Sequence, residues 1–580
     1  MTNRIESSIA QLRDVGKIPG LQVAVIEKDK GIWTKGFGFK NQDKQTPVDE
    51  TTMFEAASLT KPLTAYLIMK LVDEGIFDLY KSVLEYLSDD ELEAFIGHPM
   101  DLIDGLHQRW AAKINGMHLM SHQAGIPEEI GKTLFVMLCE PGIKETYSPA
   151  GFKLLHKIAE KLTGKKLEVL FDEYIFKPLK MRNSWMVWKD EFVENIAQAH
   201  DMFGNPKKVR KHKCADAAAS LLTTAYDYAL FLDAVMRGTG FSEEAMEEFL
   251  RPRTLVDDKL KIFWALAFGI QQDPTGPGIW QCGNLGYFRS YFIAYPEEEL
   301  GIVYMTNSFN GHSICEALTD LTIGKDTRGM DPAAFLQYDS LEGQFCRALI
   351  EHGLEANSAR LEALKTTHPA QFNRHSIRWL AYHFLDAKRF EEGISLLKSL
   401  EQEMPHSASI CYELTKAYLE WGDMGQAEKY RTKTRELSMR DHHFDKALLD
   451  LVTNYIKAIR TPIVLDKSYL LELAGAYGDR IFTVIGKDLY FAEDYQDIDD
   501  LQKMVPLSTH TFALESGFEF RIQFVLDKDG KPTKAIGLHG NSYQTFTLRN
   551  ANQDALLELN ALLEKENTSV KTKQRAELTE

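Results

Sequence analysis

Strand-like patterning at two separated places constrains this chain more than any other feature. Residues Leu21 to Ile26 and Gly31 to Phe39 alternate around Asp29-Lys30, the pattern of a β-hairpin. Period-two patterning returns from about Phe263, in Ile279–Gly283, Tyr287–Ala294 and Gly301–Asn307, and the residues between, to about Met236, read as mostly helical. Strands at both ends of a segment with helices between predict one antiparallel sheet closed by both termini, with an inserted helical lobe: an α+β layout. Gly36-Phe37-Gly38 lacks the third glycine and following helix of a dinucleotide loop, so it is read as strand.

The helical lobe opens on Phe54-Glu55-Ala56-Ala57-Ser58-Leu59-Thr60-Lys61-Pro62. An apolar run from Leu63 to Val72 follows and Gly75 closes it, so a helix is expected to start near Ser58. Pro62 is tolerated because it falls in the first turn. Residues i and i+3 share a helix face, which sets the Ser58 hydroxyl beside the Lys61 amine. Serine needs an adjacent base to act as a nucleophile, and a partly desolvated lysine can be that base. The N–H groups of the helix start favour negative charge at the serine. The competing reading is an N-capping serine with a solvated lysine. Further on, His118-Leu119-Met120-Ser121-His122 sets two histidines at i and i+4 on a helix that Gly125 ends. No glutamate stands beside His118, so both are read as structural rather than as zinc ligands.

A length of 580 residues predicts two to four domains. The net charge of −17 argues against a nucleic-acid or anionic-membrane surface. Six scattered cysteines without a C-x-x-C pair fit reduced thiols and argue against a zinc site, and neither metal nor cofactor is expected. Met1 to Pro19 has no apolar signal core, and no apolar run approaches the ~20 residues of a membrane span, so a cytoplasmic location is expected.

Gly324 to Pro332 is polar and glycine-bearing and reads as a linker. Beyond it Leu380, Phe384, Phe390 and Gly393 recur 34 positions later as Leu414, Tyr418, Met424 and Ala427, a helix-pair period of tetratricopeptide type. A weaker earlier copy runs through Ile350 and Ala359, and Phe444 to Ile459 would cap a short α-solenoid. Such units serve either as a protein- or peptide-binding groove or as a spacer, and their small number favours the spacer. After Pro462, Ile481–Ile485, Leu489–Phe491 and Phe518–Leu526, a turn at Asp529-Gly530, and Ile536 and Leu538 predict a small antiparallel β barrel or sheet. Asn552 to Glu564 reads as a short helix and Lys565 to Glu580 as a disordered tail. The expected division is therefore 1–325, 333–460, 463–550 and 551–580.

The order of motifs in the first region resembles the serine β-lactamase and penicillin-binding-protein superfamily, in its class C β-lactamase-like branch, which includes esterases, D-amino-acid peptidases and acyltransferases. Ser58-Leu59-Thr60-Lys61 resembles the nucleophile motif, and His118 through Pro127 the structural "LLSHTSGLP" stretch. Pro141-Gly142 through Tyr147-Ser148-Pro149-Ala150-Gly151-Phe152 resembles "PG…YSNxGY". Asp216 to Phe231 resembles "AAGGLxSTAxDLxxF", and Thr306-Asn307-Ser308 the late strand. The C-terminal β region is similar to the lipocalin-like module that some members carry.

The resemblance implies an acylated Ser58, with Lys61 as its partner and Tyr147 as the proton relay. It also implies an oxyanion hole formed by the backbone N–H groups of Ser58 and Asn284, and a substrate-binding stretch of Pro149, Gln281, Cys282, Gly283 and Asn284. Two departures stand out. Pro149 replaces the asparagine of Tyr-x-Asn, and Gln281-Cys282-Gly283 replaces a third motif that begins with lysine or histidine. Without that cation the Tyr147 phenol stays nearer ~10 and the burden shifts to Lys61. Cys282 is read as the small strand residue of the motif, not as a nucleophile. The expected activity is hydrolysis of an ester or small amide or peptide, classical β-lactamase action ranking behind. An acyltransferase or peptide cyclase would use the same residues, and the rival of another class is a catalytically impaired binding scaffold.

Overall fold

Asp29 turns through a left-handed conformation (φ 62°) and folds Gly20–Glu27 (β1) onto Gly31–Asn41 (β2), as the hairpin pattern requires. In the computed structural model the described residues are 1–88, 91, 106–126, 137–333, 338–369, 372, 374–441, 444–477, 480–492, 501–515, 517–539 and 542–547. The expected Asn552–Glu564 helix, the tail after it, and Pro127 of the "LLSHTSGLP"-like stretch lie outside them. The chain divides into two units, Met1–Ile130 with Phe135–Leu396, and Gly131–Leu134 with Leu397–Glu580.

The first unit is built on a nine-stranded sheet. Its further strands are Thr46–Pro47 (β3), Thr254–Asp257 (β6), Ile262–Trp264 (β7), Gly269–Asp273 (β8), Gly276–Leu285 (β9), Phe288–Tyr295 (β10) and Leu300–Thr306 (β11). The order is β3-β2-β1-β11-β10-β9-β8-β7-β6. The first long strand pairs antiparallel with the last, Val23 opposite Tyr304, so both ends of the segment do close one sheet. Phe54–Glu55 (β4) and Leu222–Thr223 (β5) form a separate two-stranded ladder.

Period-two alternation divides the sheet residues between two cores. Leu21, Val23 and Val25 pack with Ile9 of helix α1 (Asn3–Val15) on one face. Ala24 and Ile26 face the lobe that contains helices α2 (Thr60–Asp73), α3 (Gly116–Met120), α4 (Pro149–Thr163) and α5 (Ala225–Met236). Helix α6 (Cys315–Ile323) returns to the α1 face through Cys315 and Leu318. Helix α2 is buried almost all round, from Thr60 to Met69, which makes it the centre of the lobe rather than a surface helix.

The stretch expected to be a linker is packed instead. The Gly329 N–H donates to Gln271 Oε1 (3.2 Å), Arg328 Nε reaches Asp326 Oδ1 (3.0 Å), and Met330 is buried in the α1-face core. Its residues are turned onto Gln271 and Asp273 of β8.

Helix α7 (Leu341–Thr367) breaks at Gly353 (φ 75°, ψ 175°), a conformation that suits glycine. It is followed by α8 (Arg374–Asp386) and α9 (Phe390–Glu403), the latter running across the division between units. Helices starting at Arg374 and Phe390 recur 34 residues later as α10 (Ala408–Trp421) and α11 (Met424–Ser438), and α12 (Lys446–Arg460) follows.

In the second unit Tyr418 stacks on Tyr430 (5.6 Å between rings) and Tyr455 on Phe518 (4.8 Å). Its sheet has eight antiparallel strands in chain order: Gly475–Tyr477, Arg480–Ile485, Asp488–Ala492, Gln502–Pro506, Thr511–Leu514, Gly517–Leu526, Pro532–His539 and Ser542–Thr547.

Candidate active site

Ser58 sits in a single 3-10 turn, Ala57–Leu59, that runs straight into α2. Its hydroxyl caps nothing, because the N-cap position of α2 belongs to Leu59, so the capping alternative is removed. Ala57 holds a positive φ of 53°, a backbone strain of about 1–3 kcal/mol that the surroundings must offset. They do so with fixed hydrogen bonds. Ala56 N–H donates to Leu221 O (2.8 Å) and Ser290 Oγ to Ala56 O (2.8 Å). Tyr228 Oη donates to Leu59 O (2.9 Å). Thr60 Oγ1 donates to Ala57 O (2.7 Å) while accepting from Leu221 N–H (3.1 Å). Thr60→Val keeps the shape and strands the Leu221 N–H, while Ala57 O keeps the Thr60 backbone N–H, so urea unfolding should show a loss of roughly 1–3 kcal/mol; an unchanged midpoint would mean the turn is held otherwise.

The i and i+3 spacing does what it implies. Lys61 Nζ donates to Ser58 Oγ at 2.8 Å and to Ala218 O at 3.1 Å, and the side chain is 1% exposed. Tyr147 Oη donates to the same Ser58 Oγ at 3.0 Å. Lys61 Nζ also lies 5.1 Å from the Tyr147 ring centroid and 5.8 Å from that of Phe152. Tyr147 is aimed by its neighbours in sequence. Thr146 N–H donates to His122 O (2.7 Å), while Ser148 N-caps α4 and Pro149 takes the first helical position. Pro149 therefore serves as a helix starter, not as a polar contact.

His122 corrects a sequence expectation. Helix α3 ends at Met120, and His122 leaves it with φ 57°, so the two histidines do not share a helix face. Its Nδ1 accepts from Ser148 N–H (3.2 Å), and its ring lies 4.3 Å from that of Tyr147 and 5.0 Å from that of Trp264. Burial, with the nearby Lys61 charge, holds it well below its ordinary value, which leaves a neutral imidazole supporting the phenol.

The third-motif strand comes alongside through Gly283. A Cβ there would stand 2.0 Å from Ser290 Oγ and 2.4 Å from Ala56 O, so only glycine lets β9 lie against the Ser58 turn. That approach brings the peptide entering the exposed Asn284 next to the turn. Gln281 is 1% exposed; its Nε2 donates to Ala267 O (3.3 Å) and its Oε1 accepts from Cys282 N–H (2.9 Å). Its amide is committed to backbone rather than to Ser58 or Tyr147. Burial pushes the Cys282 thiol up to about 11, against the smaller opposing pull of Lys61 and Arg289, so it stays protonated at neutral pH.

Two supports escaped the sequence reading. The Ala218 carbonyl that receives Lys61 has no side-chain signature. Its loop is held by Asp216, whose Oδ1 accepts from Ala218 N–H (2.7 Å) and whose Oδ2 pairs with Lys153 (3.2 Å). Burial pushes Asp216 up, but the Lys153 charge and the Ala218 N–H outweigh it and hold the carboxyl below its ordinary value. Glu55 goes the other way: buried, with Arg210 N–H at 3.0 Å in partial compensation, it is pushed from 4.5 up to about 7. A raised carboxyl takes up a proton on folding across that interval, so stability falls as pH rises from about 4.5 to 7. Glu55→Gln should flatten that fall by on the order of 3 kcal/mol in urea titrations at the two ends. An identical pH slope in both proteins would contradict the assignment.

The family model described as Beta-lactamase matches residues 5–321, more than half of the 580 residues. The N-acetylmuramyl-L-alanine amidase of Bacillus subtilis (strain 168) is 29% identical over 202 residues, 30% of this chain and 44% of that protein. The unguisins hydrolase ungD of Aspergillus violaceofuscus (strain CBS 115571) is 25% identical over 257 residues, 40% of this chain and 44% of that protein. The solved structure titled EstCE1, a hydrolase with promiscuous acyltransferase activity, has a TM-score of 0.47 at 18% identity, covering 55% of this chain and 98% of its own. The chain spans about half the length of the curated relatives it matches. With the matched segment coinciding with the nine-stranded sheet and its helical lobe, the chain belongs to the Beta-lactamase family.

Proposed function

We propose that this protein is a serine hydrolase that cleaves an ester, or a small amide or peptide, through an acyl-enzyme on Ser58. One observation carries the reading: Ser58 Oγ lies within hydrogen-bond distance of both Lys61 Nζ and Tyr147 Oη, in a buried aromatic frame. Two proton-handling groups on one hydroxyl are what nucleophilic catalysis needs and what a binding surface does not. Relatives named as an amidase and a hydrolase support the class of reaction.

In the first step Lys61 takes the Ser58 proton as Oγ attacks the substrate carbonyl. The oxyanion forms against the Ser58 and Asn284 N–H groups, each worth roughly 10²–10³ in rate. Tyr147 passes a proton to the leaving oxygen or nitrogen, and water then releases the acyl group by the reverse relay. Tyr147→Phe is expected to lower kcat/KM by about 10²-fold with little change in KM, as measured on an activated ester. A variant of undiminished kcat would remove Tyr147 from the relay. An acyl acceptor other than water would use the same residues.

The helix pairs are read as tetratricopeptide-like and the C-terminal sheet as a lipocalin-like module. No helix of the described residues is long and apolar enough to cross a membrane. The test is intact-mass analysis after a fluorophosphonate probe on wild type and Ser58→Ala. One adduct on the first and none on the second is expected; no adduct on folded wild type would overturn the reading.

A further inference from the structure

Arg289 is a buried cation for which the described residues provide no carboxylate. Side chains of β10 alternate between the faces of the sheet. Ser290 reaches the Ser58 turn through Ala56 O (2.8 Å), whereas Tyr291 packs with Ile9 on the face that carries α1, and Arg289, 4% exposed, turns to that same face. Its Nη1 donates to the carbonyls of Gly286 (2.9 Å) and Phe288 (2.8 Å), and the Phe309 ring centroid lies 4.4 Å from the guanidinium. These contacts fix the plane of the group. A guanidinium has five N–H donors, and the edge formed by Nε and Nη2 makes no hydrogen bond among the described residues. Burial lowers Arg289 to about 10, as expected of a cation held out of water.

That side chain lines a cavity of about 600 Å³, a volume in the range of small-molecule sites. Strand ends from the sheet form one side, and helices α7 and α8 the other, all within the first unit. Ser58, Lys61 and Tyr147 do not line it. Three rings gather there: Phe309 to His383 at 4.5 Å, Trp379 to His383 at 4.1 Å, and Phe309 to Trp379 at 6.1 Å. Phe345, Phe372 and Leu380 continue the apolar wall. Burial, reinforced by the Arg289 charge, lowers His383 to about 4, so this ring is neutral at physiological pH. Glu342 and Arg347 of α7 also line the cavity and cancel in formal charge, and Glu342 forms no ion pair with Arg289. Arg289 therefore tips the cavity positive.

We propose that this cavity is a second ligand site, on the opposite face of the sheet from Ser58, and that it binds a small aromatic carboxylic acid. The carboxylate sits against the Nε and Nη2 edge of Arg289, and the ring packs among Phe309, Trp379 and His383. A planar guanidinium edge matches the two oxygens of a carboxylate in a two-bonded fork, and a weakly hydrated guanidinium gives up little water to bind it. One guanidinium balances one negative charge, which suits a carboxylate monoanion better than a phosphate dianion. The gathered rings supply stacking and apolar burial for the rest of the ligand. Nothing in this recognition calls on Ser58: the site holds its ligand and does not act on it. Helices α7 and α8 gain a role thereby, because they close the cavity over the strand ends.

The experiment uses phenylbutyrate and its neutral analogue phenylbutanamide. Calorimetry on the full-length wild-type protein should show the acid bound at least about tenfold more tightly than the amide. Arg289→Met should abolish the difference, Arg289→Lys should keep part of it, and Trp379→Ala should weaken both probes, with thermal unfolding confirming that each variant is folded. Lys61→Met removes the cation of the Ser58 site and should bind the acid with the wild-type Kd. Binding of neither probe, equal affinities for the two, or a difference that survives Arg289→Met would each overturn the site. Acid binding that weakens in Lys61→Met would place the acid beside Ser58 and overturn it as well. If Arg289→Met does not fold, the acid–amide difference in the intact cavity and the Lys variant decide.

Discussion

Lys61→Met is expected to lower kcat/KM on an activated ester by about 10³- to 10⁴-fold while the protein still folds cooperatively. The size follows from position. Lys61 is buried, 2.8 Å from Ser58 Oγ, and is fixed from behind by the Ala218 carbonyl, which Asp216 holds in place. Methionine fills a similar volume without a proton acceptor. Its structural cost is one stranded carbonyl, about 1–3 kcal/mol, reduced because an amine no longer has to be kept out of water. Urea unfolding and ester kinetics on the same preparation separate the effects. A parallel loss of cooperativity would mean that Lys61 holds the lobe together; unchanged kinetics would mean that it is not the base.

Gly283→Ala should have the second large effect, through the backbone. The new methyl would meet Ser290 Oγ at 2.0 Å and Ala56 O at 2.4 Å. The hydroxyl can rotate away, but the carbonyl cannot, because it also accepts from Ser290 and belongs to the turn that strains Ala57. Strand β9 must therefore withdraw from the turn, taking Asn284 N–H with it. Overpacking of this kind costs roughly 1–3 kcal/mol. Loss of one oxyanion donor costs a further 10²–10³ in acylation rate. Fluorophosphonate labelling at the wild-type rate would show that the Asn284 peptide has no part in the reaction.

Tyr147 and Gly283 were reached through the family resemblance, not through spacing. The contact between Ser58 and Lys61 was legible because side-chain spacing carried it. The nine-stranded sheet was legible for the same reason: alternation at Leu21–Ile26 and Gly301–Asn307 places two strands in one sheet. Backbone partners left no such mark. Nothing in the residues announces that the Ala218 carbonyl receives Lys61. Nor do they show that His122 leaves its helix after Met120 to support Tyr147, or that Gly324–Pro332 turns onto Gln271 and Asp273 of β8.

The most direct measurement is to mix the protein with excess p-nitrophenyl acetate, quench in acid during the first turnovers, and map the acyl group by peptide mass spectrometry. The expected result is one acetyl group on the peptide containing Ser58, stoichiometric with the burst of nitrophenol and absent from Ser58→Ala. Ester turnover with no acyl group on Ser58, or with the group on another residue, would contradict the Ser58 acyl-enzyme.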